Sequence, residues 1–113
     1  MGNKKTAKMI EEAMKGSLLV VSVYEDNRLI GIGRVIGDGG ITFAITDIMV
    51  DKGFQRKGIA DQIMLRIDKW LDENTDSGCF IMLHATVPAD KLYLKHGFNY
   101  IEPQMIGMLR NQT

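Results

Sequence analysis

The segment Val50–Met64, VDKGFQRKGIADQIM, organises the rest of the chain around it. An apolar run ends at Val50, a loop with two glycines follows, and an amphipathic helix then begins. The first turn of a helix carries backbone N–H groups without intrahelical partners and the positive end of the helix dipole, so it binds phosphate well. Gly58 allows close approach of an anion, and Arg56 and Lys57 add positive charge. The segment predicts an anion site; a strand-to-helix connection whose glycines only shape the turn is the alternative.

Two other common phosphate motifs are absent from the sequence. It contains no G-x-x-x-x-G-K-[ST] of a nucleotide P-loop and no G-x-G-x-x-G that opens a βαβ unit. A nucleotide-hydrolysing or dinucleotide-binding domain is therefore disfavoured.

Composition restricts the classes of partner and compartment. Fourteen basic and fourteen acidic residues cancel, so no overall field attracts nucleic acid or an anionic membrane. No apolar run approaches the ~18 residues that span a bilayer, and the first residues lack a signal-peptide core. The single Cys79 excludes an internal disulfide and argues against a structural zinc site. We expect one cytoplasmic domain over residues 1–113, without a metal, a membrane or a nucleic-acid partner.

Hydrophobic periodicity predicts a mixed α/β (α+β-like) architecture that begins with an antiparallel meander. A strand that follows a strand and a helix should return parallel to the first strand through a right-handed crossover. We expect helices at Lys4–Lys15, Ile59–Glu73 and Ala89–Lys95, and strands at Leu18–Tyr24, Leu29–Ile36, Ile41–Val50, Cys79–Ala85, Phe98–Ile101 and Met105–Leu109.

Two motifs, which follow one another along the chain, resemble those of the GCN5-related N-acetyltransferase (GNAT) superfamily. Gln55–Ala60, QRKGIA, fits the (Gln/Arg)-x-x-Gly-x-(Gly/Ala) signature, and Ala89–Phe98, ADKLYLKHGF, resembles the late A-x-x-(Leu/Phe)-Tyr-x-(Lys)-x-Gly-Phe segment. The stretch LIGIGRVI at Leu29–Ile36 is similar to small enzymes of this family that acetylate amines. The resemblance covers roughly residues 17–109. It implies a GNAT fold of order β-β-β-α-β-α-β-β, in which the first three strands form an antiparallel meander and the central strand pair splays apart.

The resemblance also implies that acetyl-CoA is the cosubstrate. The pantetheine arm of the coenzyme would lie against unpaired backbone at the end of the third strand, at Ile48, Met49 and Val50. A nearby backbone N–H would polarise the thioester carbonyl. The pyrophosphate would be held by the N–H groups of Gln55, Arg56, Lys57, Gly58, Ile59 and Ala60.

Three residues are candidates for proton transfer. Tyr93 matches the family tyrosine that donates a proton to the departing thiolate; a helix aromatic packed on the sheet is the alternative. Asp47, a carboxylate in an apolar strand, is a candidate base, and an ion-pair role is an equal alternative. His84 lies near the end of the buried strand and points near the cleft, although a lone histidine there is more often structural.

Other polar residues have weaker assignments. His96, just before Gly97, is expected to be an exposed residue at a helix end. Arg34 interrupts an apolar strand, where it either binds an acidic group of the acceptor or pairs with Asp38 or Asp47. Cys79 lies too far inside an apolar run to be a nucleophile.

Family members usually carry another strand and one or two helices ahead of the meander, and these wall the acceptor site. The residues before the meander here have room for one short helix, at 1–16. Leu18–Tyr24 is therefore expected to be a sheet edge, which is prone to pair with another chain. We hypothesise that a homodimer supplies the missing wall.

The predicted function is direct transfer of an acetyl group from acetyl-CoA to a primary amine of a small molecule. One alternative is an acyl-CoA-binding or regulatory module with weak catalysis. The other is acetylation of a protein lysine or N-terminus. The sequence does not identify the amine.

Overall fold

The computed structural model describes residues 4–110 and contains a four-stranded mixed sheet with helices on both faces. The helices are α1 (Ala7–Gly16), α2 (Ile59–Asn74) and α3 (Asp90–Leu94), and a 3-10 turn covers Lys52–Phe54. The strands are β1 (Leu19–Glu25), β2 (Arg28–Gly37), β3 (Thr42–Val50) and β4 (Phe80–Leu83), and they lie in this order across the sheet. The predicted mixed α/β class is confirmed.

The first three strands form the predicted antiparallel meander. Between β2 and β3, the carboxylate of Asp38 closes the turn. Its Oδ1 accepts hydrogen bonds from the backbone N–H groups of Gly40, Ile41 and Thr42 at 2.8, 2.8 and 3.1 Å. These bonds, that of Ile41 foremost, favour the charged carboxylate and so lower the pKa of Asp38.

The helices α1 and α2 lie on opposite faces of the sheet. A Cβ atom on Gly33 would stand 2.6 Å from Cδ1 of Ile48 and 2.7 Å from Cγ2 of Ile63, so α2 packs closely only because this residue is glycine. The next residue, Arg34, points to the other face, where it donates to the carbonyl oxygen of Ala13 in α1. The buried core lies between the sheet and α2 and consists of Val35, Phe43, Ile45, Ile63, Met64, Ile67 and Leu71.

β4 runs parallel to β3, as the crossover argument predicts. Thr42–Ile45 pairs with Phe80–Leu83, so the fourth strand is shorter than the predicted Cys79–Ala85. In the described part of the chain, β1 and β4 each have one neighbour and form the two edges of the sheet. The first strand is therefore an edge, as expected.

The two predicted strands at Phe98–Ile101 and Met105–Leu109 are not formed. Phe98 packs against the core, but residues 99–110 are exposed and contain only a turn, in which the N–H of Met105 donates to the carbonyl oxygen of Ile101 at 2.9 Å. Pro103 lies between the two apolar runs and has no N–H to donate to a ladder. An apolar run becomes a strand only when an edge pairs with it, and β4 does not pair with this segment.

Candidate active site

A β-bulge deforms the end of β3. Ile32 pairs with Met49 and Arg34 with Thr46, so β3 contains one more residue than β2 across this interval. Asp47 accommodates the extra residue with a φ of 57°, in the left-handed region where aspartate is more tolerated than most residues. The bulge bends β3 next to the point where its pairing with β4 stops.

The bulge and the short β4 together open the sheet. β3 pairs with β4 only as far as Ile45, and in residues 4–110 nothing pairs with β3 on that side beyond this point. Ile48, Met49 and Val50, the residues assigned to the pantetheine arm, lie on this open stretch. The splayed strand pair that the fold resemblance predicts is therefore present.

The loop that follows presents backbone donors. After the 3-10 turn, Arg56 and Gly58 have φ values of 64° and 80°, and α2 begins at Ile59 with no side-chain cap. The first helical bond runs from the N–H of Gln62 to the carbonyl oxygen of Gly58 at 3.1 Å. The backbone N–H groups from Gln55 to Asp61 donate to no acceptor in the described chain.

Most of the residues that carry these donors line a cavity of about 190 Å³. Arg56 and Lys57 are exposed, and neither forms an ion pair with another residue of the 4–110 range. The Nζ of Lys57 lies 5.5 Å from the centroid of the Phe54 ring, which suits a cation–π contact. The cavity is lined by Val50, Phe54, Gln55, Arg56, Gly58, Ile59, Ala60 and Asp61. All but one of the residues predicted to hold the pyrophosphate thus line one cavity; Lys57 lies beside it.

Asp47 forms an ion pair with Arg34. The guanidinium donates from Nε to Oδ2 of Asp47 at 2.9 Å, and its Nη2 forms an ion-pair contact of 2.8 Å with the same oxygen. Its Nη1 donates to Oγ of Ser17 at 2.9 Å and to the carbonyl oxygen of Ala13 at 3.2 Å. The Arg34 side chain is 12% exposed and that of Asp47 is 38% exposed. Arg34 therefore pairs with Asp47 and not with Asp38. Because Arg34 also contacts Ala13 and Ser17, it connects the end of α1 to the bulge.

The other two candidates for proton transfer lie in different surroundings. Tyr93 is half-buried, packs edge-on against Phe98 with ring centroids 6.3 Å apart, and its hydroxyl makes no hydrogen bond to any residue between 4 and 110. Burial raises the pKa of Tyr93, so the hydroxyl carries its proton at neutral pH. His84 is exposed just after β4; Gly107 lies against its ring, since a Cβ there would stand 3.1 Å from Nε2.

The expectation for His96 is wrong. Its side chain is 9% exposed and lies between two carboxylates of α2, with Nδ1 2.7 Å from Oδ2 of Asp68 and Nε2 3.1 Å from Oδ1 of Asp61. The neighbouring Lys95 places Nζ 3.2 Å from Oδ2 of Asp61. The spacing of seven residues, which sets Asp61 and Asp68 on one face of α2, was the available signal. Only the packing of α3 shows what that face contacts.

Residues 4–110 hold neither a candidate membrane span nor a candidate metal site. No helix is long and apolar enough to cross a membrane, and no group of three or more His, Cys, Asp or Glu side chains is arranged to hold a metal ion.

Comparison with known proteins gives consistent matches. A solved structure from meticillin-resistant Staphylococcus aureus, of a protein described as being of unknown function and a probable acetyltransferase, is 40% identical; the match has a TM-score of 0.92 and covers 97% of this chain and 83% of that one. Glucosamine-6-phosphate N-acetyltransferase from Arabidopsis thaliana is 16% identical, with a TM-score of 0.69 and coverage of 97% and 83%. At that identity the likeness concerns the fold alone.

A curated relative, uncharacterized N-acetyltransferase ycf52 from Porphyra purpurea, is 29% identical over 99 residues, which are 84% of this chain. The chain spans 56% of the length of that relative. Residues 2–107 match the acetyltransferase (GNAT) domain family. Because this match covers nearly the whole sequence and the fold agrees with it, the chain belongs to the GNAT acetyltransferase family.

Proposed function

We propose that the protein transfers the acetyl group of acetyl-CoA directly to a primary amine of a small molecule, without an acyl-enzyme. The observation that carries the proposal is the row of backbone N–H groups from Gln55 to Asp61, which donate to no described acceptor and lie beside two exposed cations. Such a row complements a pyrophosphate. The choice of a small amine rests on the resemblance of the LIGIGRVI stretch to amine-acetylating enzymes.

Two parts of the coenzyme contact two different parts of the protein. The N–H groups from Gln55 to Ala60 hold the pyrophosphate, and the side chains of Arg56 and Lys57 add charge. The pantetheine arm follows the open stretch of β3, where the backbone of Ile48 and Val50 bonds its amides and Met49 lies between them. This brings the thioester toward the bulge.

The reaction then needs attack on the thioester, collapse of the resulting intermediate and two proton transfers. The free amine attacks the thioester carbonyl carbon, and a C–N bond forms as the carbonyl π electrons move to oxygen. A backbone N–H at the open stretch of β3 stabilises this oxyanion. Collapse of the tetrahedral intermediate breaks the C–S bond, and the Tyr93 hydroxyl protonates the leaving thiolate while the proton lost by the amine passes to a base.

Asp47 and His84 are the candidates for that base. Both contacts from Arg34 are made to Oδ2 of Asp47, which leaves Oδ1 without a partner among the described residues. Oδ1 is then the atom that receives the amine proton, directly or through water. His84 is exposed and makes no hydrogen bond to residues 4–110, so it serves if the acceptor binds on the β4 side.

Titration calorimetry with acetyl-CoA tests the coenzyme site. In the Arg56→Gln/Lys57→Gln variant we expect affinity to fall about five- to tenfold, and more at low ionic strength, because two charges beside the phosphates are lost. The matched control is Arg66→Gln/Lys69→Gln, which removes equal charge from exposed positions of α2. Equal losses in both variants, or no binding by the unmodified protein, would refute the site.

Thiol release across polyamines, arylalkylamines, amino acids and aminoglycosides tests turnover. Tyr93→Phe should lower kcat by about 10²-fold or more at unchanged acetyl-CoA affinity, because only the proton donor is removed. Tyr24→Phe, at an exposed position of β1, is the control. An unchanged kcat in Tyr93→Phe contradicts the acid role.

Two outcomes of the same panel select the alternatives. Coenzyme binding without turnover of any small amine favours a regulatory acyl-CoA-binding module. Acetylation of a peptide lysine or N-terminus in place of small amines favours a protein acetyltransferase.

We also propose a cytoplasmic homodimer in which a second copy pairs with an open edge of the sheet. β1 and β4 are edges of the described sheet, and large apolar side chains of the C-terminal segment, among them Ile106 and Met108, are exposed at 66% and 85%. Unpaired edges and exposed apolar residues favour association with another chain. Light scattering after gel filtration should give twice the chain mass; a monomer mass at working concentration contradicts the dimer.

A further inference from the structure

Asp61 occupies the third helical position of α2, within the first turn. A carboxylate at this position ordinarily folds back, caps the free N–H groups of its own helix and interacts favourably with the helix dipole. Here the Asp61 carboxylate accepts no hydrogen bond from a backbone N–H of α2 among the described residues. Both carboxylate oxygens are instead engaged by the two residues that follow α3: Oδ2 by Lys95 at 3.2 Å and Oδ1 by His96 at 3.1 Å.

Only the protonated, positively charged form of His96 can hold Asp61 and Asp68 at the same time. Both ring nitrogens face carboxylate oxygens, at 2.7 Å for Asp68 and 3.1 Å for Asp61. Ionised carboxylates only accept hydrogen bonds, and a neutral imidazole donates only one. The imidazolium therefore satisfies both partners, whereas the neutral ring would turn a lone pair toward one of them.

The directions in which the pKa values of His96 and Asp61 are shifted agree with this geometry. Desolvation lowers the pKa of His96, but the hydrogen bonds and charges of Asp61 and Asp68 outweigh it, so the net shift is upward. The pKa of Asp61 is lowered, first by the hydrogen bond from His96 and then by that from Lys95. The charged groups that face His96 are Asp61 and Asp68 from α2, with Lys95 beside it in the chain.

We propose that Lys95 and His96 are positioning residues for the coenzyme, which hold Asp61 away from the N-terminus of α2 and so keep its N–H groups open to the pyrophosphate. The inference rests on the proposed pyrophosphate site, whose cavity Asp61 lines. Without the two cations, the carboxylate turns onto the free N–H groups and places a negative charge where the phosphates bind. It then competes with the coenzyme for the same donors.

The proposal predicts a pH dependence with a definite sign. Below the raised pKa of His96 the imidazolium holds both carboxylates. As the pH rises through that pKa, the neutral ring keeps one bond, and Asp61 is left with the exposed Lys95 as its cationic partner, so its carboxylate turns more readily onto the N–H groups. Affinity for acetyl-CoA should then fall about two- to fivefold, the effect of a carboxylate capping a helix terminus.

Calorimetric titration of acetyl-CoA into the full chain, between about pH 5.5 and pH 8.5 around the ordinary range of histidine, tests the proposal. In His96→Asn the side-chain amide can donate to Asp68, where Nδ1 did, but it has no donor that reaches Asp61. We expect this variant to bind acetyl-CoA weakly at every pH. His96→Gln places its amide where Nε2 meets Asp61, and should bind nearly as well as the unmodified protein without the pH dependence. Lys95→Met should weaken binding, whereas Lys91→Met, one turn earlier and exposed, should not.

The double variant Asp61→Asn/His96→Asn separates positioning from structural damage. Removal of the competing charge should restore affinity to that of Asp61→Asn alone. If the double variant binds as weakly as His96→Asn, or if binding by the unmodified protein does not change with pH, the positioning role is overturned. Absence of acetyl-CoA binding by the unmodified protein at every pH would instead overturn the proposed function, so the two failures are distinguishable. Thermal unfolding of each variant reports whether it is folded.

Discussion

The ion pair between Arg34 and Asp47 allows a quantitative test of how the bulge is held. Arg34→Met keeps the apolar stem of the side chain and removes three partners, which are Asp47, Ser17 and Ala13. Asp47→Asn removes the charge and keeps a residue that tolerates the observed positive φ. Hydrogen bonds to charged groups contribute roughly 1.5–3 kcal/mol, and the 38% exposure of Asp47 moves the expectation to the lower end.

We therefore expect Asp47→Asn to lower the free energy of unfolding by about 1 kcal/mol and Arg34→Met by about 2–3 kcal/mol. The double variant should fall short of their sum by about 1 kcal/mol, because the shared interaction is lost only once. Urea denaturation followed by tryptophan fluorescence measures all four proteins. Additivity within about 0.5 kcal/mol would refute the reasoning, since independent sites behave in that way.

The same four proteins discriminate between the two roles of Asp47 in turnover. If the carboxylate mainly holds the bulge, Arg34→Met and Asp47→Asn lower kcat by similar, non-additive factors. If Oδ1 is the base, Asp47→Asn lowers kcat by about 10²-fold or more, well beyond the effect of Arg34→Met. Equal activity of all four proteins contradicts both roles and leaves His84 as the candidate.

Gly33→Ala should destabilise the protein by about 1–3 kcal/mol in urea denaturation, because its Cβ would meet Ile63 at 2.7 Å. Gly58→Ala has open space but a φ of 80°, so it should cost about 1 kcal/mol from backbone strain and shift the N–H groups of the anion site. Gly53→Ala, with open space and no positive φ, is the control for both and should be neutral. The pKa of Asp38 is lowered on folding, so its stabilisation is present above the unfolded pKa and is lost as pH falls through the folded one. The stability difference between Asp38→Asn and the unmodified protein should accordingly shrink on acidification, and a constant difference would contradict this.

The regular elements were predictable because each has a local cause. Periodicity placed α2, whose observed end at Asn74 differs from the prediction by one residue. The alternation of apolar residues and the short polar turns placed the meander. Residues 55–60 were predictable as a loop that leads into a helix N-terminus, because glycine and the onset of apolar periodicity are local signals. Their binding of a pyrophosphate stays a prediction.

The failures concern pairing over long distances in sequence. Phe98–Ile101 and Met105–Leu109 have the composition of strands, but a strand needs a partner edge, and composition does not show whether one pairs with it. The position of the bulge at Asp47 depends on the pairing register between β3 and β2. The sequence of one strand alone does not determine that register.

The same distinction between local and long-range causes applies to the site. The sequence by itself determined the family, the order of the central elements and the position of the loop that leads into α2, because motifs, periodicity and turn residues act within a few residues. Only the tertiary structure decided that Arg34 binds Asp47 and not Asp38, and that His96 lies buried between Asp61 and Asp68. Those partners are separated by 13, 35 and 28 positions, so their meeting depends on how the helices pack on the sheet and not on any local pattern.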